Sequence, residues 1–385
     1  MNGGRDTGDV RAYLMAAGLG TRLYPLTGLT SKPMVPILNR PVMEHLLQLL
    51  RRHGVIEVAA NLHYHPDKIS SYFGDGAEYG LGLRYNLEEQ LMGTAGGADA
   101  FRAFLCGSTF LVMSGDGLTD IDLTAFLAAH RRAGGIATLA VKEVEDPSLY
   151  GVVVHDDDLR VTGFQEKPPR GQAESNLCNC GIYAFEPEIF DYIPSGEFVD
   201  WAKDVFPALL RDGKPFHVWR LESYWNDVGN IEQYRVGNFD ALHGRVNVLV
   251  PGRQVAPHVW IGQGTEVESG VRIEPPVLLG AGCLVESGAE LIGPLIIGDG
   301  CVVERGAVLE GVIHWDGAKA GRDSRLAGSI LGRNVVVHHE AVVREDSVVG
   351  DRSEVGPHAL VDAGARLEPR TCVDAGAHSH GGNAT

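Results

Sequence analysis

The sequence predicts an α/β domain on a Rossmann-like mixed sheet, followed by a left-handed parallel β-helix. Three observations carry this prediction. Strand-like and helix-like patterns alternate through residues 12–245, aliphatic residues then recur every six positions, and 385 residues exceed one ordinary core. The expected division is a polar tail at 1–10, the α/β domain at 11–246, the β-helix at 247–378 and a second tail at 379–385.

The α/β pattern opens with an apolar strand, Ala12 to Ala17, that runs into a glycine-rich loop extending to Pro41. Proline suits the first position of a helix, and the residues after Pro41 place apolar side chains at helical spacing with Gly54 just past the end. The next run, Val55 to Leu62, is a buried strand, so strand, helix and strand make a right-handed crossover with the two strands parallel. A later strand, Thr109 to Asp116, stops at Gly-Asp-Gly, and Asp122 is placed to cap the helix that follows.

From Val255 the pattern changes. Val255, Ile261, Val267, Ile273, Leu279, Val285, Leu291, Ile297, Val303 and Leu309 keep a strict spacing of six. After a slip near Trp315 the spacing resumes at Leu331 and continues to Val373, often with a small residue such as Gly262, Gly280, Gly298 or Gly350 after the aliphatic one. An inward aliphatic with small residues at the corners is the pattern of a parallel β-helix, three hexapeptides to a coil. The strands of an ordinary sandwich would drift out of phase.

Composition narrows the function. A net charge of -17 without a lysine or arginine cluster repels phosphate backbones, so no nucleic-acid partner is expected. The first residues are polar where a signal peptide would be basic and then apolar, and no apolar run approaches the ~20 residues that span a bilayer, so a cytoplasmic protein without a membrane partner is expected. The six cysteines (Cys106, Cys178, Cys180, Cys283, Cys301, Cys372) show no paired framework and are read as reduced, mostly buried thiols. His63 and His65 mimic a metal pair but lack an acidic partner nearby.

The chemistry concentrates in a few segments. Ala16-Ala17-Gly18-Leu19-Gly20-Thr21-Arg22 follows the first strand and is followed in turn by Ser31-Lys32-Pro33. Glycines there let backbone N–H groups approach a polyphosphate, while Arg22 and Lys32 can neutralise charge on it. No Gly-Lys-Ser/Thr follows, so this is not a Walker-type loop. Asp116 sits where a strand ends, the edge at which open α/β sheets place ligands, and Asp227 lies in a second acidic turn after Tyr224-Trp225. Two such carboxylates could share one Mg²⁺, which takes few carboxylates and fills its sphere with water and phosphate oxygens. Lys167 offers a compact positive charge and Glu166 a hydrogen-bond acceptor, although a surface ion pair would look the same.

The glycine-rich loop resembles the signature of the sugar-1-phosphate nucleotidyltransferases, with Ala17 where many members carry glycine. The resemblance recurs in the family's order at Gly93-Thr94-Ala95-Gly96, Gly115-Asp116, Glu166-Lys167-Pro168, Asn179-Cys180-Gly181 and Trp225-Asn226-Asp227. It implies that Ala17, Gly18, Gly20, Thr21, Arg22 and Gly93 bind the nucleotide, and that Thr94, Glu166, Lys167, Asn179 and Gly181 bind the sugar phosphate. It further implies that Asp116 and Asp227 hold Mg²⁺ and that Arg22, Lys32 and Lys167 assist catalysis. Within the family the closest likeness is to mannose-1-phosphate guanylyltransferases. Adenylyl, thymidylyl or uridylyl transfer to glucose 1-phosphate, or transfer to a cyclitol phosphate, are the alternatives. Acyl transfer in the β-helix, with His314, His338 or His339 as base, is a reading of another class. A noncatalytic regulatory subunit is a third, opposed by the presence of both acidic residues. The β-helix is expected to support a homo-oligomer.

Overall fold

The structure is a computed structural model that describes residues 10–379. The expected tails therefore lie outside the described residues, except Val10, which is buried, and Ser379, which pairs in a strand with Val361. Contacts divide the chain into two compact units: residues up to Leu19 with Val42–Asp227, and Gly20–Pro41 with residues from Val228 onward.

The first unit is built on one mixed sheet. Strands β1 (Arg11–Met15), β2 (Glu57–Leu62), β3 (Gly82–Leu87) and β4 (Phe110–Ser114) are parallel, with β1 between β2 and β4. The helix expected after Pro41 is α1 (Val42–Arg52); it begins one residue later than expected because Pro41 is used in a short bridge to Pro36. It buries Val42, Met43, Leu46, Leu47, Leu49 and Leu50, turns Arg51 and Arg52 to solvent, and ends at Gly54. The crossover from β1 through α1 to β2 thus gives the parallel pair read from the sequence.

Past β4 the chain forms the two-residue strand β5 (Leu118–Thr119) and then the helix Leu123–Ala133, whose first turn is capped by Asp122 accepting from Ala125 N at 2.9 Å. The strands β6 (Ala137–Glu143), β7 (Gly151–His155), β8 (Val161–Glu166), β9 (Leu177–Phe185) and β10 (Phe216–Arg220) complete the sheet. β9 runs antiparallel beside β4 and carries β6 and β7 on its other side, and β8 flanks β7. An aromatic core of Phe110, Phe185, Trp201, Phe206 and Phe216 fills one face, with Phe185 and Trp201 stacked at 4.6 Å. The parallel strands being held by buried side chains, their C-terminal ends are left to carry polar loops.

The second unit is dominated by three parallel sheets of short strands that stack coil on coil, the arrangement of a left-handed parallel β-helix. One coil takes 18 residues, as in the pairing of Val259 with Val277, and the aliphatic hexad residues line the core. A Cβ at Gly280 would come within 2.5 Å of the next coil's backbone, which explains the small residue after the aliphatic one.

Two details depart from the hexad reading. Val255 is 45% exposed and belongs to an antiparallel strand, Arg253–Ala256, so the parallel stack begins only at Val259. The slip near Trp315 proves to be two five-residue steps, Leu309 to His314 and Leu326 to Leu331, which shorten the intervening pairings to 17 residues. His314 then stands in the core where an aliphatic would, between Ile297 and Leu331 of the neighbouring coils.

All six cysteines are free, and four are buried. Among the described residues no helix is long and apolar enough to cross a membrane.

Candidate active site

In the first unit the loops after β1 and β4 meet at the C-terminal edge of the sheet. Gly115 N donates to Met15 O at 3.0 Å, setting the turn that carries Asp116 beside Ala16-Ala17-Gly18. Gly18 is exposed, and a Cβ there would meet nothing within 4 Å, so its neighbourhood is open to a ligand.

A small ladder brings the two acidic turns together. β5 pairs antiparallel with β11 (Trp225–Asn226), Thr119 opposite Trp225 and Leu118 opposite Asn226. The turn that carries Asp116 leads straight into this ladder and Asp227 follows directly out of it, and a Cβ on Gly117 would lie 3.6 Å from Asn226 O, so the two acidic segments run side by side. Thr119 Oγ1 donates to Tyr224 O and Tyr224 N donates to Asp120 Oδ1, both at 2.8 Å, which locks the register. Both carboxylates are half-buried. Among the described residues no group of three or more His, Cys, Asp or Glu could hold a metal. A site built on Asp116 and Asp227 would offer two carboxylates, a set that suits a hard cation keeping water and phosphate oxygens in its shell. Val228, next to Asp227, has φ 45°, a left-handed conformation that a β-branched residue adopts only under strain.

The indole of Trp225 ties this ladder to the sugar-phosphate candidates. Its Nε1 donates to Cys180 O at 3.0 Å, and its ring meets Tyr150 edge-on at 5.7 Å. Tyr150 O in turn accepts from Lys167 N at 3.1 Å. Glu166 lies across from Gly151 in the register of β8 with β7, and Cys178 pairs with Val152, so Glu166, Gly151 and Asn179 fall along one row across the sheet. Lys167 Nζ lies 3.7 Å from Glu166 Oε1, the side chains 60% and 36% exposed. An ion pair so open to water holds by about 1 kcal/mol or less, so either partner is free to turn to a substrate.

Asn179 is already engaged, donating to Tyr183 OH at 2.8 Å and accepting from Gly181 N at 3.1 Å. One N–H and one carbonyl lone pair remain for a ligand. Thr94 Oγ1 donates to Asp200 Oδ2 and accepts from Trp201 N, both at 2.9 Å. It therefore anchors the helix α2 (Gly93–Asp99) to the segment at 199–201 rather than capping it. Gly93 has φ 80°, and a Cβ there would lie 2.3 Å from Val199 O, the carbonyl that accepts from Ala95 N and Gly96 N. Gly93→Ala should therefore misplace this loop and lower kcat/KM at least tenfold. Steady-state kinetics with unchanged values would remove the loop from the site.

The sequence did not flag Asp200, Tyr150, Asn61 or Glu88. Asp200 caps the turn after it through Ala202 N and Lys203 N, a role that its position before Trp201-Ala202 could have suggested. His63 is a structural residue, its Nδ1 on Glu88 O at 2.8 Å.

The second unit carries the rest of the glycine-rich segment. Gly20, at φ 66°, accepts from Leu23 N and Thr27 Oγ1 at 3.0 Å, and a Cβ on it would lie 2.9 Å from Lys32 Cβ. Gly20-Thr21-Arg22 and Ser31-Lys32-Pro33 are thus folded onto each other, with Thr21 and Arg22 exposed and Lys32 only 9% exposed. Helix α3 (Ile231–Leu242) and the β-helix fix this segment. Leu38 N donates to Asn238 Oδ1, Tyr234 OH to Pro36 O and Asn39 Nδ2 to Ile297 O. Trp315 Nε1 completes the packing by donating to Tyr234 OH at 2.7 Å.

The second unit also bears the histidines considered for acyl transfer. His314 is fully buried, both ring nitrogens lack a hydrogen-bond partner, and burial pushes its pKa down to about 3. No substrate can reach it. His338 Nε2 sits on Glu354 Oε1 at 2.6 Å on the outside of the coils.

An open α/β sheet with acidic turns and a glycine-lined loop at the C-terminal edge of its parallel strands has the edge at which such sheets bind phosphate-bearing ligands. Residues 11–243 match the family described as Nucleotidyl transferase, and the chain belongs to it, among the sugar-1-phosphate nucleotidyltransferases. It is 41% identical over 267 residues to a UTP–glucose-1-phosphate uridylyltransferase of Synechocystis sp., covering 66% of this chain and 69% of that one. It is 35% identical over 287 residues to a mannose-1-phosphate guanylyltransferase of Mycobacterium tuberculosis, covering 69% and 79%. Among solved structures, HddC from Yersinia pseudotuberculosis is 25% identical with a TM-score of 0.52, over 60% of this chain and 98% of that chain. The chain is an enzyme that transfers a nucleotidyl group to a sugar 1-phosphate. Members of this family generally use a divalent metal.

Proposed function

We propose that the enzyme joins GTP and mannose 1-phosphate to give GDP-mannose and pyrophosphate, with Mg²⁺ between Asp116 and Asp227. The observation that carries the site is the ladder of β5 with β11, which supports convergence of the two carboxylates. The substrate pair is supported by the guanylyltransferase relatives, including that of M. tuberculosis. A second pair, UTP with glucose 1-phosphate, is favoured by the higher identity to the Synechocystis relative.

In the proposed reaction the sugar phosphate's oxygen attacks the nucleotide α-phosphorus in line, opposite the pyrophosphate. That oxygen is ionised near neutral pH, so no protein base is needed, and the task is to align two anions and screen their repulsion. Lys167 holds the sugar phosphate and Glu166 accepts from sugar hydroxyls, with Asn179 and Gly181 beside them. Ala17, Gly18, Gly20, Thr21 and Gly93 cradle the nucleotide, Thr94 orients the sugar phosphate, and Arg22 and Lys32 neutralise the triphosphate. When bound, Mg²⁺ supplies charge stabilisation at the phosphate oxygens. Residues 11–246 are the proposed catalytic domain. The enzyme is proposed to act in the cytoplasm as a homo-oligomer formed through the β-helix, which cell fractionation and light scattering check.

Pyrophosphate release across a matrix of nucleoside triphosphates and sugar 1-phosphates tests the assignment. GTP with mannose 1-phosphate should give the highest kcat/KM. A preference of tenfold or more for UTP with glucose 1-phosphate would transfer the assignment to the second pair, and no release with any pair would sink the reaction itself.

A further inference from the structure

The first unit contains a buried hydrogen-bond chain that no step of the proposed reaction uses. Ala16 N donates to Asn61 Oδ1 at 2.8 Å, Asn61 Nδ2 donates to Glu88 Oε1 at 2.7 Å, and Met92 N donates to Glu88 Oε2 at 3.0 Å. Asn61, at the end of β2, and Glu88, just past β3, are each 4% exposed. The chain ends one residue before Ala17-Gly18 at one side and one residue before Gly93-Thr94 at the other. Space around it is tightly fitted: a Cβ on Gly97 of α2 would lie 2.4 Å from Glu88 Oε1 and 2.7 Å from Asn61 Nδ2.

The polarity of this chain is fixed from both ends. Backbone N–H groups point inward from Ala16 and from Met92, so each terminal atom of the bridge must accept. Asn61 meets Ala16 with its oxygen and must then donate to Glu88, whose carboxylate accepts on both sides. A buried carboxylate so placed persists because its hydrogen bonds replace water.

We propose that Asn61 and Glu88 are positioning residues that hold the β1 loop and the Gly93-Thr94 loop at one fixed separation, the separation the nucleotide requires. This rests on the assignment of both loops to the nucleotide and sugar phosphate above. Neither residue touches substrate; a shift of either loop acts by misaligning the two anions, and so appears in kcat as well as in KM.

Exchanging the amide and the carboxylate tests the proposal. In Glu88→Gln, one amide N–H must face another donor, and kcat/KM for the nucleotide should fall by about 10- to 100-fold. In Asn61→Asp two carboxylates face each other, with a similar loss. The double variant Asn61→Asp with Glu88→Gln restores every bond. The carboxylate then at position 61 accepts from Ala16 N, and the amide then at position 88 donates to that carboxylate while its oxygen accepts from Met92 N. Its kcat/KM should return to within about threefold of the parent, an exchange that only a hydrogen-bond chain of this polarity predicts. A double variant as poor as the worse single, or a harmless Glu88→Gln, overturns the proposal. Amide hydrogen exchange at Ala16 and Met92 should be slow in the parent, fast in each single variant and slow again in the double. Should the parent release no pyrophosphate with any substrate pair, the reaction assignment fails, and the exchange pattern still decides whether the clamp exists. If a single variant does not fold, the double variant alone carries the decision.

Discussion

Asp116→Asn is expected to lower kcat/KM by on the order of 10³-fold while leaving the melting temperature within a few degrees of the parent. The substitution keeps the shape of the side chain and removes its charge. The carboxylate is half-buried in the turn two residues past the end of β4, outside the strands of the sheet. Asp227→Asn should behave alike. The informative measurement is the pair: if both carboxylates serve one cation, the double variant should lose little more than either single, since a site already broken cannot be broken again. Effects that multiply would mean two independent roles and would contradict the convergence argued from the register of Leu118 with Asn226. Isothermal titration with Mg²⁺ and the non-reacting nucleotide gives a second reading, with weaker binding expected in both single variants.

His314→Leu is expected to stabilise the protein, and more so as the pH falls. In the folded chain the imidazole is held neutral, its pKa pushed from 6.5 to about 3 by burial. The unfolded chain takes up a proton as the pH drops through about 6.5 and the folded chain does not until about 3, so across that window unfolding binds a proton. The histidine's contribution is therefore most favourable above 6.5 and is lost progressively toward pH 3, by up to roughly 4–5 kcal/mol over the whole interval. Leucine has no titration and similar volume, and it fits between Ile297 and Leu331 without leaving ring nitrogens unsatisfied. At neutral pH the gain should be about 1–3 kcal/mol, the cost of burying orphaned polar atoms. Chemical denaturation from pH 7 to pH 4 decides it. A variant whose stability runs parallel to the parent across that range would mean that the ring is protonated or solvated in the folded state.

Much of the chain could be read locally. The β1, α1 and β2 sequence is visible because each element carries its own period and stop signals: the apolar run of Ala12 to Ala17, the 3.6-residue spacing before Gly54, and the Val55 to Leu62 run. Asp122 is legible as a cap because a cap is made with the residues that follow it. The coils after Val259 are legible because each hexad meets the same environment. Harder cases share one feature. The five-residue steps at Leu309 to His314 and Leu326 to Leu331 depend on the pairing of whole coils, and nothing near His314 announces that it occupies a core position. Thr94 stands in the first turn of the helix Gly93–Asp99, yet the partner of its hydroxyl is Asp200, 106 residues away. Asn61 and Glu88 sit at the ends of ordinary strands, and the polarity of their bridge exists only once Ala16 and Met92 approach from opposite sides.

By itself, then, the sequence determined the kinds of element, their order, the hexad period and the residue types that phosphate chemistry requires, because each is written within a few residues of chain. The tertiary structure alone decided that the segments carrying Asp116 and Asp227 pair through β5 and β11, which polar groups are spent on holding loops, and that Gly20–Pro41 packs with helix α3 through Asn238 and Tyr234 and with the β-helix through Ile297. Those outcomes come from pairing between distant segments, where free energy depends on the register and burial of both partners and neither segment encodes it alone.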